Sequence, residues 1–338
     1  MVNAAIVGLG WWGKTLVNSV QGKSDLIRFV AAHTRTRAKV EDFCREKQLV
    51  FQESIDAILR DPKIDALVFA AQHTDRSEQV QKAAAAGKHV FVEKPFALNL
   101  KAADAALAAV KRAGVVLGVG YQRRFPPSVA ELRARVKDGR LGTLVAATGE
   151  ATAPAGPSLP KGFWRADPVQ APAGAMTGLG VHVLDTFVDF LGPVDEVYCI
   201  NVRRAAPHID DSTSVQMMMK SGLPASFYCS LSTAVSYRIA VFGTNGYGEV
   251  LRPNFDTFQF IPAATGPLTG QFKPAEPELI VTKDFDPVKA ELEAFASAIR
   301  DKQPFPISHD EIRHVTAAFE AIVKSAATKQ PVKVASTG

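Results

Sequence analysis

The first third of the chain alternates short apolar runs with longer stretches in which apolar residues recur at helical spacing. Such alternation is typical of βαβ units and predicts a parallel, doubly wound sheet. We predict strands over residues 4–7, 26–32, 66–71, 88–92 and 115–119. Between these strands we predict helices over residues 14–20, 37–46, 55–59, 77–86 and 100–113.

The pattern changes after Gly120, where turn-rich segments alternate with apolar runs of strand length and little helix is indicated. The hairpin dipeptide Asn245-Gly246 favours antiparallel pairing in this region. We predict a mostly antiparallel sheet with strands over residues 197–203, 213–220, 225–232 and 238–242. Helical spacing returns near the C-terminus, where we predict helices over 289–300 and 310–327 and an edge strand over 331–334.

Two domains are therefore predicted, and 338 residues are enough for each to bury its own core. Residues 1–120 are expected to form an α/β Rossmann domain that binds NAD(P). Residues 121–338 are expected to form an α+β domain that binds substrate and mediates oligomerisation. The C-terminal helices, at about residues 287–330, are expected to pack back toward the first domain.

Composition narrows the class of protein. Hydrophobic residues make up 47% of the chain and charged residues 22%, as in average globular proteins in water. The formal net charge of +5 is not concentrated in any run of Lys and Arg, so a nucleic-acid partner is not expected. No apolar stretch reaches the ~20 residues that span a bilayer, so no membrane partner is expected. We recognise no signal peptide, and three widely spaced cysteines favour free thiols, so we predict a cytoplasmic protein.

A glycine pattern, Gly8-Leu9-Gly10-Trp11-Trp12-Gly13, follows the first predicted strand and opens the first predicted helix. GxGxxG alone is a weak signal, but this strand–turn–helix context is typical of dinucleotide-binding domains. The first glycine permits the tight turn, the second lets the backbone approach the pyrophosphate, and the third lets helix and strand pack closely. The helix N-terminus offers free N–H groups to the phosphates. A tight turn without a ligand is the alternative. We predict dinucleotide contacts from Gly8, Gly10, Trp11, Trp12 and Gly13.

The end of the second predicted strand lacks the carboxylate that holds the ribose hydroxyls in NAD-binding units. The chain reads Ala32-His33-Thr34-Arg35-Thr36-Arg37 at this point. A hydroxyl and two guanidinium groups suit a 2′-phosphate, which Arg binds through charge-assisted hydrogen bonds. We therefore predict a preference for NADP(H), held by Thr34, Arg35 and Arg37, with NAD(H) left open as a cofactor. A solvated basic loop is the alternative interpretation.

The stretch AGKHVFVEKP, residues 86–95, is the most specific motif in the chain. Together with GxGxxG, it resembles the Gfo/Idh/MocA family of glucose-fructose oxidoreductases, inositol dehydrogenases and their relatives. Further similarity extends over nearly the whole chain, at residues 118–125, 163–165 and 174–185 and at Ser325. The resemblance implies a Rossmann domain, then a domain with an open-faced, mostly antiparallel sheet, with the active site between them.

The resemblance also identifies Lys94, within Glu93-Lys94-Pro95, as the catalytic lysine. Its ammonium group would hydrogen-bond the reacting oxygen of the substrate. A partly desolvated lysine beside a cationic nicotinamide gives up its proton more readily, which suits proton exchange near neutral pH. Pro95 would make a rigid turn, whose peptide isomer is not readable from the sequence.

A second family motif ends in Asp-x-Gly-x-His, usually with a further Asp three residues on. This chain reads Gly178-Leu179-Gly180-Val181-His182-Val183-Leu184-Asp185. The resemblance implies that His182 is a general base or hydroxyl-binding residue, and a buried structural histidine is the alternative. Gly178 replaces the first Asp, which binds substrate hydroxyls in the family's sugar and cyclitol dehydrogenases. This departure disfavours an inositol-type substrate.

The resemblance implies further contacts on both sides of the reaction. Near the nicotinamide, Gln72-His73 replaces a usual Pro-Asn pair, and Arg76 stands where a histidine is usual. Cofactor contacts are expected here from Ala71, Gln72, His73, Arg76, Glu93 and Lys94. Arginines in the second domain favour a carboxylate-bearing or oxygen-rich substrate, with structural ion pairs as the alternative. Substrate contacts are expected from Tyr121, Arg123, Arg124, Trp164, Arg165, His182 and Asp185.

The segment His309-Asp310-Glu311-Ile312-Arg313-His314 is superficially similar to a zincin motif. Its histidines are five residues apart and would point ~140° away from each other on a helix, whereas HExxH requires a spacing of four. We therefore predict no metal site. His309 is expected to precede the last long helix, with Asp310 near the helix N-terminus.

Three functional hypotheses follow. The leading one is hydride transfer between NADP(H) and an alcohol or carbonyl carbon of a sugar, sugar acid or cyclic diol. The alternative is a non-catalytic NAD(P)-binding regulatory protein, which retention of Lys94 disfavours and loss of the Asp at Gly178 favours. The third is an enzyme that keeps NADP(H) bound and recycles it between two substrates. An exposed sheet face predicts a homodimer or homotetramer through the second domain.

Overall fold

The computed structural model describes residues 1–251, 255–264 and 275–335. The chain divides into two units. Unit 1 comprises Met1–Gln122 and Asp286–Thr316, and unit 2 comprises Arg123–Phe285 and Ala317–Gly338. The C-terminal part of the chain therefore contributes to both units.

Unit 1 is built on a parallel sheet of β1 (Val2–Val7), β2 (Ile27–His33), β3 (Val50–Phe51), β4 (Ala66–Phe69), β5 (His89–Glu93) and β6 (Leu117–Gly120). The strand order among the described residues is β3-β2-β1-β4-β5-β6, and every pairing is parallel. The central strands consist almost entirely of buried apolar residues, as expected for a sheet covered on both faces. This order is that of a Rossmann fold, so the predicted α/β fold is confirmed.

The helices of unit 1 are α1 (Trp11–Val20), α2 (Glu41–Glu46), α3 (Ile55–Arg60), α4 (Arg76–Ala85), α5 (Leu100–Ala113) and, from the C-terminal part of the chain, α8 (Pro287–Arg300). Their starts follow local capping chemistry. The Asn99 side chain accepts the Ala102 N–H at 2.9 Å, and Asp286 caps α8 in the same way. The predicted helix over 37–46 is wrong in its first part, where a 3₁₀ turn ends at Val40. This β-branched residue has a non-helical φ of −132°.

Unit 2 contains a larger sheet of β7 (Leu144–Thr152), β8 (Val194–Val202), β9 (Ser212–Met219), β10 (Pro224–Ser230), β11 (Ser236–Gly243), β12 (Gly246–Leu251), β13 (Thr257–Pro262), β14 (Glu278–Val281) and β15 (Val332–Lys333). Within the described ranges the order is β14-β13-β12-β11-β7-β10-β9-β8-β15. Among the strand pairings of the described residues in this sheet, β7–β10 alone is parallel, so the predicted mostly antiparallel sheet is confirmed. The Asn245-Gly246 hairpin joins β11 to β12, and β15 is an edge strand as predicted.

The described residues also form α6 (Pro127–Lys137), α7 (Val181–Leu191) and α9 (His309–Thr328). The expectation of little helix after Gly120 is wrong at α6 and α7. Because α7 is buried almost all round, its apolar residues form a nearly continuous run instead of one helical stripe. Helix α9 begins at His309 itself, and Ser308 Oγ caps it by accepting the Glu311 N–H at 3.2 Å.

The described residues bear on a membrane span and on a metal site. No helix there is long and apolar enough to cross a membrane. No group of three or more His, Cys, Asp or Glu side chains in these ranges is arranged to hold a metal ion.

Candidate active site

The loop over residues 8–13 joins β1 to α1, and at two of its glycines there is no room for a side chain. Gly8 has a φ of +97°, and a Cβ there would lie 2.7 Å from the Ala70 carbonyl carbon. A Cβ at Gly13 would lie 2.1 Å from the Gly8 oxygen. Beside Gly10, in contrast, no heavy atom beyond its chain neighbours lies within 4 Å of the Cβ position. The backbone is therefore open at Gly10, where a pyrophosphate would approach it.

The first turn of α1 supports the same ligand class. It contains no acidic residue, so its free N–H groups and partial positive charge are not offset. The exposed Trp11 ring packs edge-on against Trp12, with 5.2 Å between ring centroids. Both predicted tryptophans therefore lie at the helix N-terminus that would receive the phosphates.

The end of β2 carries two arginines with different surroundings. Arg37 pairs with Glu53 at 2.9 Å and Glu41 at 3.4 Å, and its guanidinium lies 5.4 Å from the centroid of the Phe51 ring. Arg35 is exposed, and the described residues give it no ion-pair partner. Arg35 is therefore the guanidinium at this strand end whose charge is not already shared with carboxylates.

Lys94 lies directly after β5, and Arg76 holds the backbone on both sides of it. Arg76 is 3% exposed and donates through Nη1 to the carbonyls of Glu93 and Pro95, the latter at 2.6 Å. Its Nη2 donates to the Ala71 carbonyl at 3.0 Å. The Lys94–Pro95 peptide bond is cis. Arg76 thus connects the end of β4 to the turn that carries Lys94, as a clamp on the backbone.

The Glu93 side chain is buried beside the same turn. Its Oε2 accepts the Lys94 backbone N–H at 3.2 Å. A Cβ at Gly120, the residue opposite on β6, would lie 2.7 Å from Glu93 Oε1, so the carboxyl group occupies the space that this glycine leaves. Burial raises the pKa of Glu93, while the Trp12 indole and the charges of Lys94 and Arg76 oppose that shift.

The three predicted residues between β4 and α4 lie near the Arg76 clamp. Ala71 and Gln72 are half-buried, and His73 is 7% exposed. The His73 carbonyl accepts the Arg76 N–H at 3.4 Å, which starts the turn into α4. Unit 1 therefore brings Ala71, Arg76, Glu93 and Lys94 together at the carboxyl ends of β4 and β5, the edge at which Rossmann folds bind ligands.

In unit 2, Arg123 lies against two aromatic rings. Its guanidinium carbon is 4.2 Å from the centroid of the Tyr237 ring and 5.1 Å from that of Phe255. Desolvation between these rings lowers the pKa of Arg123, although Tyr237 opposes the shift. Its Nη1 is buried and has no hydrogen-bond partner among the described residues. Arg123 is therefore held by stacking and retains a donor for an anionic or oxygen-rich ligand.

Arg124, the next residue, is engaged differently. It donates to both oxygens of Asp185, through Nε at 2.8 Å and Nη2 at 2.6 Å, and both side chains are at most 5% exposed. Asp189, one turn further along α7, lies 3.7 Å from Arg124 Nη1 and also pairs with Arg133. The predicted substrate residues Arg124 and Asp185 therefore bind each other in a buried, bidentate ion pair. This pair fixes α7.

His182 lies in the first turn of α7 and is 3% exposed. Its carbonyl accepts the Thr186 hydroxyl at 2.9 Å. A π-helical turn, Met176–Gly180, precedes it and contains Gly178. A Cβ at Gly178 would meet only Leu231, at 3.8 Å, so there is room for a side chain where the family motif carries Asp.

The remaining predicted substrate residues occupy separate places. The Arg165 guanidinium stacks on the Trp164 ring with 4.5 Å to its centroid, in a short 3₁₀ turn, and both residues are half-buried. Tyr121 belongs to unit 1, directly after β6, and is 1% exposed. Its side chain is therefore part of the core beside the ligand-binding edge of the sheet.

Sequence reasoning missed one polar residue of unit 1 and the packing role of Gly120. Glu291 is fully buried in α8, and neither carboxyl oxygen has a hydrogen-bond partner among the described residues. The sequence does indicate this burial, because Glu291 lies at helical spacing from Val288, Leu292 and Phe295, which form the buried stripe of α8. A charged residue on such a stripe marks a buried titratable group.

Two family models match the chain. The model of the oxidoreductase family with an NAD-binding Rossmann fold matches residues 2–121, and the Gfo/Idh/MocA C-terminal domain matches residues 129–249. Together they cover most of the chain in the order that the two units follow.

Individual relatives agree with these models. The chain is 26% identical to the inositol 2-dehydrogenase of Rhizobium meliloti (strain 1021), over 99% of both proteins. It is 28% identical to the trans-1,2-dihydrobenzene-1,2-diol dehydrogenase of Sus scrofa, over 66% of both. A solved structure of levoglucosan dehydrogenase in complex with NADH has a TM-score of 0.86, with 20% identity and 99% coverage of both chains. This last similarity is one of fold.

Proposed function

Since the chain belongs to the Gfo/Idh/MocA family of oxidoreductases, we propose that it is an NADP(H)-dependent dehydrogenase or reductase of a small polar substrate. The reaction is hydride transfer to or from a carbon that carries a hydroxyl or carbonyl group. The Lys94 turn carries this proposal, because Arg76 and Glu93 hold its backbone at the ligand-binding edge of a Rossmann sheet.

Residues 8–13 would hold the cofactor's pyrophosphate through the open backbone at Gly10 and the N-terminus of α1. Ala71, Gln72 and His73 would contact its nicotinamide half. When bound, the nicotinamide supplies the hydride acceptor or donor. The protein then has to orient the substrate, exclude water and move one proton.

Lys94 is the residue to which we assign that proton. Alcohol oxidation releases a proton from the substrate hydroxyl as hydride leaves the carbon, and a positioned amine can accept it. In the reverse direction the ammonium group donates to the forming alkoxide. His182 is proposed as the partner that binds the reacting hydroxyl, and the buried Arg124–Asp185 pair holds its helix in place.

The preference for NADP(H) is proposed from Arg35. It is exposed at the end of β2, where residues 33–37 include no Asp or Glu to hold a ribose diol, and it can bind a 2′-phosphate. Arg37 contributes less in this proposal, because Glu41 and Glu53 share its charge.

The proposed substrate class is a sugar, a sugar acid or a cyclic diol. The names of the relatives place an inositol, a dihydrodiol and an anhydrosugar among the substrates of similar proteins. The buried donor of Arg123 favours an oxygen-rich or carboxylate-bearing member of this class. The open space at Gly178 favours a substrate other than an inositol.

A panel of sugars, sugar acids and diols, each assayed with NADP and with NAD, tests the proposal. We expect a substrate-dependent change in nicotinamide absorbance for at least one member, faster with NADP. Tight binding of the cofactor without turnover of any member would favour the non-catalytic hypothesis. NADP(H) that stays with the protein through extensive dialysis would favour recycling between two substrates.

A further inference from the structure

Unit 1 contains a second buried carboxyl group besides Glu93. Glu291 is 0% exposed on α8, which packs against α1 and against β1, β2 and β6. Neither of its oxygens has a hydrogen-bond partner among the described residues. A carboxylate without donors is unfavourable in such a place, whereas the neutral acid is tolerated.

The groups around Glu291 act in the same direction as its burial. Glu93, from the end of β5, and Asp286, at the N-terminus of α8, both raise the pKa of Glu291, adding to the larger effect of desolvation. Lys94 and Arg76 instead act on Glu93, whose pKa they lower. The cations therefore favour a charge on Glu93, and the carboxylates disfavour one on Glu291.

The charge on this pair matters for the Lys94 turn. Glu93 accepts the Lys94 N–H, and Arg76 holds the carbonyls at Glu93 and Pro95. When Lys94 is the neutral amine that can accept a proton, the single carboxylate of Glu93 balances the charge of Arg76. A second carboxylate at Glu291 would act on Glu93, because it disfavours the charge on the group that accepts the Lys94 backbone N–H.

We infer that Glu291 is a positioning residue that carries a proton in the working enzyme, so that the Glu93–Glu291 pair presents a single negative charge to the Lys94 turn. The inference rests on the proposed function only through the role of Lys94. The groups that act on the pair come from four places in unit 1. Asp286 caps α8, Glu93 ends β5 and Lys94 follows it, Arg76 begins α4, and Trp12 on α1 offers an indole N–H. Strand β6 contributes no titratable side chain.

The first test is stability against pH, which needs no substrate. The unfolded chain releases the Glu291 proton at an ordinary pKa, but the folded chain keeps it to higher pH. The free energy of unfolding of the wild type should therefore fall as pH rises between those two pKa values. Glu291→Gln removes this fall and raises Tm at neutral pH. Glu293→Gln, a half-buried neighbour on α8, is the matched control and keeps the fall.

The second test detects the proton directly. Infrared spectroscopy of the wild type at neutral pH should show the carbonyl band of a protonated buried carboxylic acid, and Glu291→Gln should lack it. Absence of the band in the wild type is decisive without the variant, so the test holds even if the variant fails to fold. Absence of the band in the wild type would overturn the inference while leaving the role of Lys94 intact.

The third test is kinetic. Glu291→Gln mimics the protonated side chain, so kcat and KM should stay within about twofold of the wild type near neutral pH. At alkaline pH the wild type should lose kcat as Glu291 ionises, and Glu291→Gln should keep it to higher pH. A fall in kcat of more than tenfold in folded Glu291→Gln would show that an ionised carboxylate is needed. If the wild type shows the infrared band but turns over no substrate, the proposed role of Lys94 is contradicted. The protonation of Glu291 is then still supported.

Discussion

Arg35 and Arg37 lie two residues apart after β2, but only Arg37 is bound by neighbouring carboxylates. Arg35→Ala should weaken NADP binding by about 1.5–3 kcal/mol, the range for a hydrogen bond to a charged group. NAD binding should barely change, because NAD lacks the 2′-phosphate. Arg37→Ala is the matched control and should weaken NADP binding by a smaller amount. Calorimetric titration with both cofactors measures this, and equal losses of NAD and NADP affinity in Arg35→Ala would contradict the assignment.

Gly178 leaves space in a part of unit 2 where the family motif carries a carboxylate. Without that carboxylate, one substrate hydroxyl loses its acceptor, so we expect poor or no turnover of myo-inositol. Steady-state oxidation of myo-inositol, compared with other members of the substrate panel, checks this. Efficient oxidation with a KM typical of good substrates would show that the loss of Asp at this position is unimportant.

The roles of Lys94 and Glu93 were predicted from the long motif AGKHVFVEKP and stay predictions. The structure adds that Arg76 donates to the backbone carbonyls on both sides of Lys94, which the motif does not reveal. Arg124 and Asp185 were placed by the same reasoning among the substrate contacts. Their bidentate pairing joins residues that are 61 positions apart in sequence, and no local pattern reveals such a contact.

At the scale of elements, the pairing of β5 with β6 places Gly120 against the Glu93 carboxyl group. Gly120→Ala would set a methyl group 2.7 Å from Glu93 Oε1. We expect a loss of about 1–3 kcal/mol of stability, the usual cost of overpacking, and a lower kcat because Glu93 supports the Lys94 turn. Chemical denaturation measures the first effect. Gly178→Ala, whose Cβ has room, is the control, and equal stabilities of the two variants would contradict the packing argument.

Helices were predictable where one face alone is buried, as in α5 and α8, whereas α7 was missed because it is buried almost all round. The central strands of unit 1 were predictable as short, continuous apolar runs. Glu291 shows the opposite problem. Its helix was predicted from apolar spacing over 289–300, but that spacing did not predict that Glu291 is buried. The groups that Glu291 faces are set by the packing of α8 against the sheet. The spacing of residues within α8 gives no information about that packing.

At the scale of the whole molecule, the sheet of unit 2 exposes apolar side chains on β8, β9 and β10. Ile200, Met218 and Tyr228 are 49%, 42% and 41% exposed. Such a patch is typical of a subunit interface, so we predict a homodimer or homotetramer. Light scattering should show Ile200→Asp as a smaller species, while Val50→Asp, on the exposed edge strand β3, keeps the wild-type mass. A monomeric wild type at micromolar concentration would contradict this prediction.

The proposed reaction requires a proton to leave the substrate as hydride moves, and Lys94 is the residue proposed to accept it. Lys94→Met keeps most of the side-chain bulk and removes both the charge and the proton. With the best substrate of the panel, we predict a fall in kcat of at least ~100-fold, within the range for loss of general acid–base catalysis. NADP affinity should stay close to that of the wild type, because we assign cofactor binding to residues 8–13 and Arg35. A Lys94→Met enzyme that retains most of its kcat would contradict the account, and one that no longer binds NADP would make Lys94 a cofactor ligand.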